Sequence, residues 1–262
     1  MNLWHRPLTA NELRQCLRIA FGCTLGFVLC KIFGWSNGVF FTVTPVLLLG
    51  MIPVMNGHAA RQLIASAAMC GLEVGLLGGL FGGHPGLMLP IVFLLFLYRF
   101  AAMSRGSLFL FGANGVLSLS IMLHFASYPE TDLNDLIFSN LWASVLSVLI
   151  AYLMTALIPD VEARPAPTPS PKAPHRMRHE ALLGASIATL SFLVFQLFDL
   201  RDSMSAQATT LLVLFPMHWD GALSYARKRA MGTLLGVSFG ILGQLVLYDW
   251  SGLLLLVTPV LW

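Results

Sequence analysis

The stretch Leu136–Ile158, LIFSNLWASVLSVLIAYLMTALI, decides the fold class. A helix needs about 20 mostly apolar residues to cross the hydrocarbon core of a bilayer, and this run meets that length. A β-barrel strand would show segments of about ten residues with strict alternation, and Leu141 to Leu157 does not alternate. The reading is therefore a membrane-spanning helix. Nine further runs of the same character stand at 14–34, 38–55, 62–82, 86–103, 106–126, 180–199, 204–219, 230–248 and 251–262.

Composition agrees. Over 262 residues the chain is 57% hydrophobic and 10% charged, where globular chains carry about 45–50% and about 25%. The mean hydropathy is +0.78. So few charges cannot cover the surface of a soluble fold, which excludes a cytosolic enzyme, a nucleic-acid binder and a disordered chain. The expected class is an all-α, polytopic transmembrane bundle of about ten helices.

Lysine and arginine in short loops give the direction. With the N-terminus in the cytoplasm and alternating helices, thirteen of the 15 basic residues fall on the inner side and only Lys31 and Arg201 outside. The outer loops carry Glu130, Asp132, Asp135, Asp199, Asp202 and Asp249 instead. The first run carries Arg18 and Lys31 and does not read as a cleavable signal peptide. A multi-pass protein of the bacterial inner membrane is expected, with Arg18 and Lys31 snorkelling to the interfaces.

Asp160–Glu180, DVEARPAPTPSPKAPHRMRHE, breaks the apolar pattern with five prolines, a composition that favours an extended spacer. Its Lys172, Arg176 and Arg178 could touch anionic headgroups or simply mark a tether on the positive side. It divides the chain into a first half of six helices at 1–159, a linker at 160–179 and a second half at 180–262. The halves resemble each other. Pro53, Asn56-Gly57 and Arg61 lead into Gly71, Gly75 and Gly79. Pro216, Asp220-Gly221 and the Arg227, Lys228, Arg229 cluster lead into Gly232, Gly236 and Gly240. Six helices before the linker make the halves parallel repeats, as in some transporters. The second half then reads as incomplete, and the run 251–262 is too short to span.

Glycines four apart, including Gly22 and Gly26, allow close helix contact. Glu73 stands about 200° round its helix from Gly71, so it looks away from a contact made through the glycine face. An intramembrane carboxylate usually faces a bundle interior or a wet cavity and marks ion or proton pathways. Glu73 is thus either a proton-coupling residue or a structural acid bonded to a neighbouring helix, and Lys31 is the nearest partner by type. Thr42, Thr44 and Pro45 lie in the second span, where Pro45 removes a backbone hydrogen bond and freed carbonyls can line a cavity. Gln207, Thr209 and Thr210 occupy the comparable span of the second half, and Asn114 is a further intramembrane amide. Each reads either as a substrate contact or as a helix–helix hydrogen bond.

The seven histidines have no metal-ligand spacing. Cys16, Cys23 and Cys30 recur every seven residues, about 10 Å apart, too far for disulfides or one zinc. With Cys70 they read as small buried residues. No phosphate-binding GxxxxGK[ST] loop is present, and no nucleophile–base pair stands out. Neither catalysis nor a cofactor is expected.

The opening LRIAFGCTLGFVLCKIFGWSNGVFFTVTPVLLLG, the turn NGHAARQ and its echo DGALSYARKRAMGTLLG resemble the fusaric-acid-resistance and aromatic-acid-exporter superfamily of bacterial inner-membrane permeases. The resemblance spans nearly the whole chain through loose motifs. It implies export of hydrophobic carboxylic acids driven by the proton gradient, beside a periplasmic membrane-fusion adaptor. It also places Arg61 and Arg227–Arg229 at the family's basic loop positions. Many members carry a large cytoplasmic domain between the halves, where this chain has only the proline-rich linker, so it resembles a compact branch. The expected partners are a small organic acid, the adaptor and the bilayer, with no nucleic acid; a homo-oligomer is compatible with the small-residue packing. A second reading is a non-transporting scaffold subunit of an envelope complex.

Overall fold

Helix α1 (Ala10–Phe33) starts where Thr9 and Glu12 form a reciprocal cap: the Glu12 amide donates to Thr9 Oγ1 at 3.2 Å and the Thr9 amide to Glu12 Oε2 at 2.8 Å. It stops at Gly34, whose φ of 64° is left-handed. The computed structural model describes residues 9–52, 55–81, 85–128, 130–162, 164, 172–198, 204–216 and 219–246. The helices that follow are α2 (Gly38–Met51), α3 (Gly57–Phe81), α4 (Pro85–Ser104), α5 (Phe109–Ala126), α6 (Leu133–Leu157), α7 (Pro174–Leu197), α8 (Met204–Leu214) and α9 (Trp219–Val246). Among the described residues there are nine helices and no strand. Helices α1, α3, α5, α6 and α7 are long and apolar enough to cross a membrane, and α2 is a shorter apolar helix. The run at 251–262 lies outside the described residues.

Helix α5 is the axis of the bundle, packed against α2, α3, α4, α6, α7 and α8. Its side chains from Gly112 to His124 are all buried. Small residues permit this. A Cβ on Gly112 would stand 2.5 Å from the Arg99 carbonyl and 2.7 Å from the Met103 amide, so α4 and α5 meet backbone to backbone. On the far side, Ala181, Gly184, Ala185 and Ala188 form a buried small-residue face of α7, and α7 packs on α4 with Gly184 under the Phe100 ring.

Polar contacts tie the ends. At one end Gln62 donates to the Ser107 carbonyl at 2.9 Å and accepts from the Phe111 amide at 3.0 Å, joining α3 to α5. At the same end Asp160, after α6, binds both Arg18 and Arg164, and Arg164 reaches Gln15 Oε1 at 2.8 Å. At the other end Asn37 donates to Asp135 Oδ2 at 3.3 Å, joining the start of α2 to the start of α6.

Several boundaries differ from the apolar runs. α3 begins at Gly57, α7 at Pro174 and α9 at Trp219, each several residues before its apolar run. Hydropathy marks only the part suited to lipid, while helix-forming polar residues carry the helix further, and Pro174 occupies the first helical position, where proline is favoured. Arg61, Arg227, Lys228 and Arg229 therefore sit on helices, not in loops. Arg18 does not snorkel: it is 1% exposed and held by Asp160. Lys31 is exposed, 5.8 Å from the Phe27 ring centroid. Of the four free cysteines, only Cys30 and Cys70 are buried; Cys16 is exposed and Cys23 half-buried.

Candidate functional site

Glu73 has a partner, and it is Arg99 rather than Lys31. Gly71 and Gly75 press on Ile137 of α6, so the glycine face of α3 is buried and Glu73 turns towards α4. There Arg99 Nη2 donates to Glu73 Oε2 at 2.7 Å and lies 3.7 Å from Cys70 Sγ. The guanidinium is fully buried, its carbon 4.7 Å from the Phe111 ring centroid and 5.6 Å from that of Tyr98. Gly115 closes the cradle: a Cβ there would stand 2.7 Å from Arg99 Cδ. The pair compensates charge that would otherwise be costly at this depth. Arg99 stands inside the apolar run 86–103 but close to its end, so counting basic residues by side assigns it to the cytoplasmic edge.

The second feature is a cavity of about 730 Å³ between α1 and α2 on one side and α8 and α9 on the other. Ile19 and Cys23, then Thr42, Val46 and Met51, face Leu212, Phe215, Tyr225 and Arg229, with Phe109 and Leu117 of α5 as the floor. Its size falls within the range of about 300–1,000 Å³ usual for small-molecule sites. The lining is mainly apolar, with the Arg229 guanidinium as its cation. Arg229 Nε donates to Thr209 Oγ1 at 3.2 Å, which fixes the head of a long side chain. Thr42 donates to the Val39 carbonyl at 3.1 Å, which fixes its hydroxyl on the helix beside the cavity.

The sequence-derived residues are thus only partly brought together. Thr42 and Arg229 line the cavity, and Thr209 supports Arg229. Thr44 is buried away from it, so Thr44 and Thr209 do not form a symmetric pair about the cavity. Pro45 does free the Phe41 carbonyl, but that oxygen packs on Gly26 of α1, where a Cβ would overlap it, and Phe41 is not part of the lining of this cavity. Asn114 and Gln207 are buried off the cavity, and among the described residues Asn114 Nδ2 and both amide atoms of Gln207 have no hydrogen-bond partner. Arg61 is exposed and bonded to the Gly57 carbonyl at 3.2 Å; Arg227 and Lys228 are exposed on α9. Sequence reading missed Arg99, Asp160 and Tyr225. Among the described residues no group of His, Cys, Asp and Glu could hold a metal ion.

On α5 the ion pair and the cavity occupy opposite faces. At 100° per residue, Phe111 and Gly115 lie about 180° from Phe109 and Leu117. One helix is therefore the shared wall of both features.

An all-α bundle with these apolar helices has the make-up of a multi-pass membrane protein. The chain belongs to the family described as Protein of unknown function (DUF2955), which matches residues 15–154, nearly the whole of α1 to α6 and just over half of the chain. No curated protein and no solved structure matches it.

Proposed function

We propose that the protein is an inner-membrane permease that exports small hydrophobic or aromatic organic acids. The carrying observation is the apolar cavity with Arg229 in its wall: apolar surface takes the ring or chain and the guanidinium takes the carboxylate in a bidentate fork. The cavity is lined by α1, α2 and α5 from before the linker and by α8 and α9 from after it, which suits passage between two halves. The family match, ending at residue 154, supports reading α1–α6 as the first half.

Proton coupling acts through α5. A proton on Glu73 dissolves the pair with Arg99 on one face of α5 and alters the cavity wall on the other. The N-terminus lies in the cytoplasm, and a periplasmic adaptor receives the substrate. The test is pH-dependent export of an aromatic carboxylate from vesicles holding equal amounts of inserted protein. Glu73→Gln abolishes the pH dependence; unchanged export by that variant removes Glu73 from the mechanism.

A second reading, a membrane scaffold for an envelope complex, is favoured by α9. Among the described residues no atom lies in packing distance of a Cβ at Gly232, Gly236 or Gly240, and Leu234, Phe239, Leu242 and Leu245 are exposed. Loss of a partner from the membrane on deletion, with no sensitivity to aromatic acids, would favour scaffolding over export.

A further inference from the structure

At the end of the bundle opposite Asp160, the turn between α1 and α2 builds a second, smaller chamber. Two left-handed residues shape the turn, Gly34 with φ 64° and Asn37 with φ 53°. The Trp35 amide donates to the Cys30 carbonyl at 3.0 Å, and Cys30 Sγ lies 3.3 Å from the Trp35 carbonyl. These contacts fix the indole, which stacks on Phe41 at 5.0 Å between centroids and meets Trp142 edge-on at 5.9 Å. Phe138 and Asp135 complete a cavity of about 220 Å³.

The chemistry of this chamber is opposite to that of the larger one. Its formal charge is the Asp135 carboxylate, which accepts from Asn37 at 3.3 Å through Oδ2. Among the described residues no lysine or arginine forms an ion pair with it. The other walls combine the rings of Trp35, Phe41, Phe138 and Trp142 with Gly34, Ser36 and Ser139, and aromatic faces attract cations. One carboxylate is too few ligands for a metal ion, and it repels anions. At below about 300 Å³ the chamber is smaller than the usual drug-sized site, so only a compact group fits. Trp35 and Trp142 would serve equally as interfacial anchors at headgroup level, yet anchoring alone does not call for the half-buried carboxylate beside them.

We infer that Trp35, Trp142, Phe138 and Asp135 form a binding site for an organic ammonium group, either of a phospholipid head or of a free amine. The rings wrap its methyl or methylene groups and Asp135 neutralises its charge.

The test uses the purified full chain in maltoside micelles. Tetramethylammonium chloride is titrated against sodium chloride at equal ionic strength, with tryptophan fluorescence as the readout. A saturable change is expected with tetramethylammonium only. Asp135→Asn and Trp142→Leu each weaken it about tenfold or more, while Trp142→Phe keeps most of it. Thermal unfolding midpoints establish that each variant is folded, and the exposed Phe138→Ala replaces any that is not. Identical titrations for both salts, or affinity unaffected by Asp135→Asn, overturn the inference. Nanodiscs separate the two sources. Phosphatidylcholine discs that suppress the titration, where phosphatidylglycerol discs permit it, identify a lipid head; equal titrations in both identify a free amine.

Discussion

Arg99 on α4 and Glu73 on α3 form a hydrogen-bonded ion pair, 2.7 Å from Nη2 to Oε2, with the arginine wholly enclosed and the glutamate 10% exposed. Its neighbours are arranged around that contact: glycines turn Glu73 towards it, Phe111 covers it and Gly115 leaves room for it.

Breaking one side of the pair leaves a buried charge without a counterion. Arg99→Met should therefore lower stability by about 3–5 kcal/mol, and Glu73→Gln should also cost stability. The double variant Glu73→Gln/Arg99→Met should recover most of the loss, because the remaining groups are uncharged. Unfolding of all four proteins in micelles gives the coupling energy. Simple additivity of the two losses would mean that the pair is not formed.

Gly115 makes a narrower prediction. A methyl there must displace Arg99 Cδ, so Gly115→Ala should cost about 1–3 kcal/mol through overpacking. The same substitution in an Arg99→Met background should cost less, since a flexible thioether gives way. The same unfolding assay reads the difference.

The two glycine-rich segments should respond differently. Gly26→Ala places a methyl on the Phe41 backbone carbonyl, which cannot move without shifting α2, and should destabilise markedly. Gly236→Ala meets no atom of the described residues and should leave the unfolding midpoint of the isolated protein unchanged or slightly raised, as expected for alanine in a helix. If Gly236→Ala instead releases a partner from native membranes, the scaffold reading gains.

The Asp160 clamp should show an asymmetry between its two arginines. Asp160→Asn removes the carboxylate from Arg18, which is 1% exposed, and should cost several times more than the loss of the exposed arginine. Arg164 is 22% exposed in its pair with the same carboxylate, so Arg164→Ala should cost about 1 kcal/mol or less. Limited proteolysis of the segment after Pro159 would report the release of the linker from α1.

How far the sequence reaches depends on which physical term decides. Leu141 to Leu157 is read correctly because lipid selects for apolar length, and length is visible in one dimension. The turn of Glu73 away from Gly71 is likewise a matter of helix periodicity. The partner of Glu73 is not legible, because Arg99 is joined to it by the packing of α4 between α3 and α7, and nothing local announces that. Arg18 fails for the same reason: its neighbour Asp160 is 142 residues along the chain, just past the end of α6. Pro45 is half legible. The missing hydrogen bond follows from the residue type, but the destination of the freed Phe41 carbonyl depends on Gly26 of another helix. Thr42 and Thr44 are two residues apart, hence about 200° apart on α2, and only the neighbours determine which of them meets the cavity.

In the proposed export, the cavity beside Arg229 carries the hydrophobic carboxylate. The most direct measurement is the initial rate of benzoate export from membrane vesicles, taken over a range of internal concentrations. Arg229→Gln should raise the KM about tenfold or more, with equal insertion, while Lys228→Gln, whose side chain is exposed one residue away, should match the unmodified protein. Saturable export with the same KM in both variants would contradict the account.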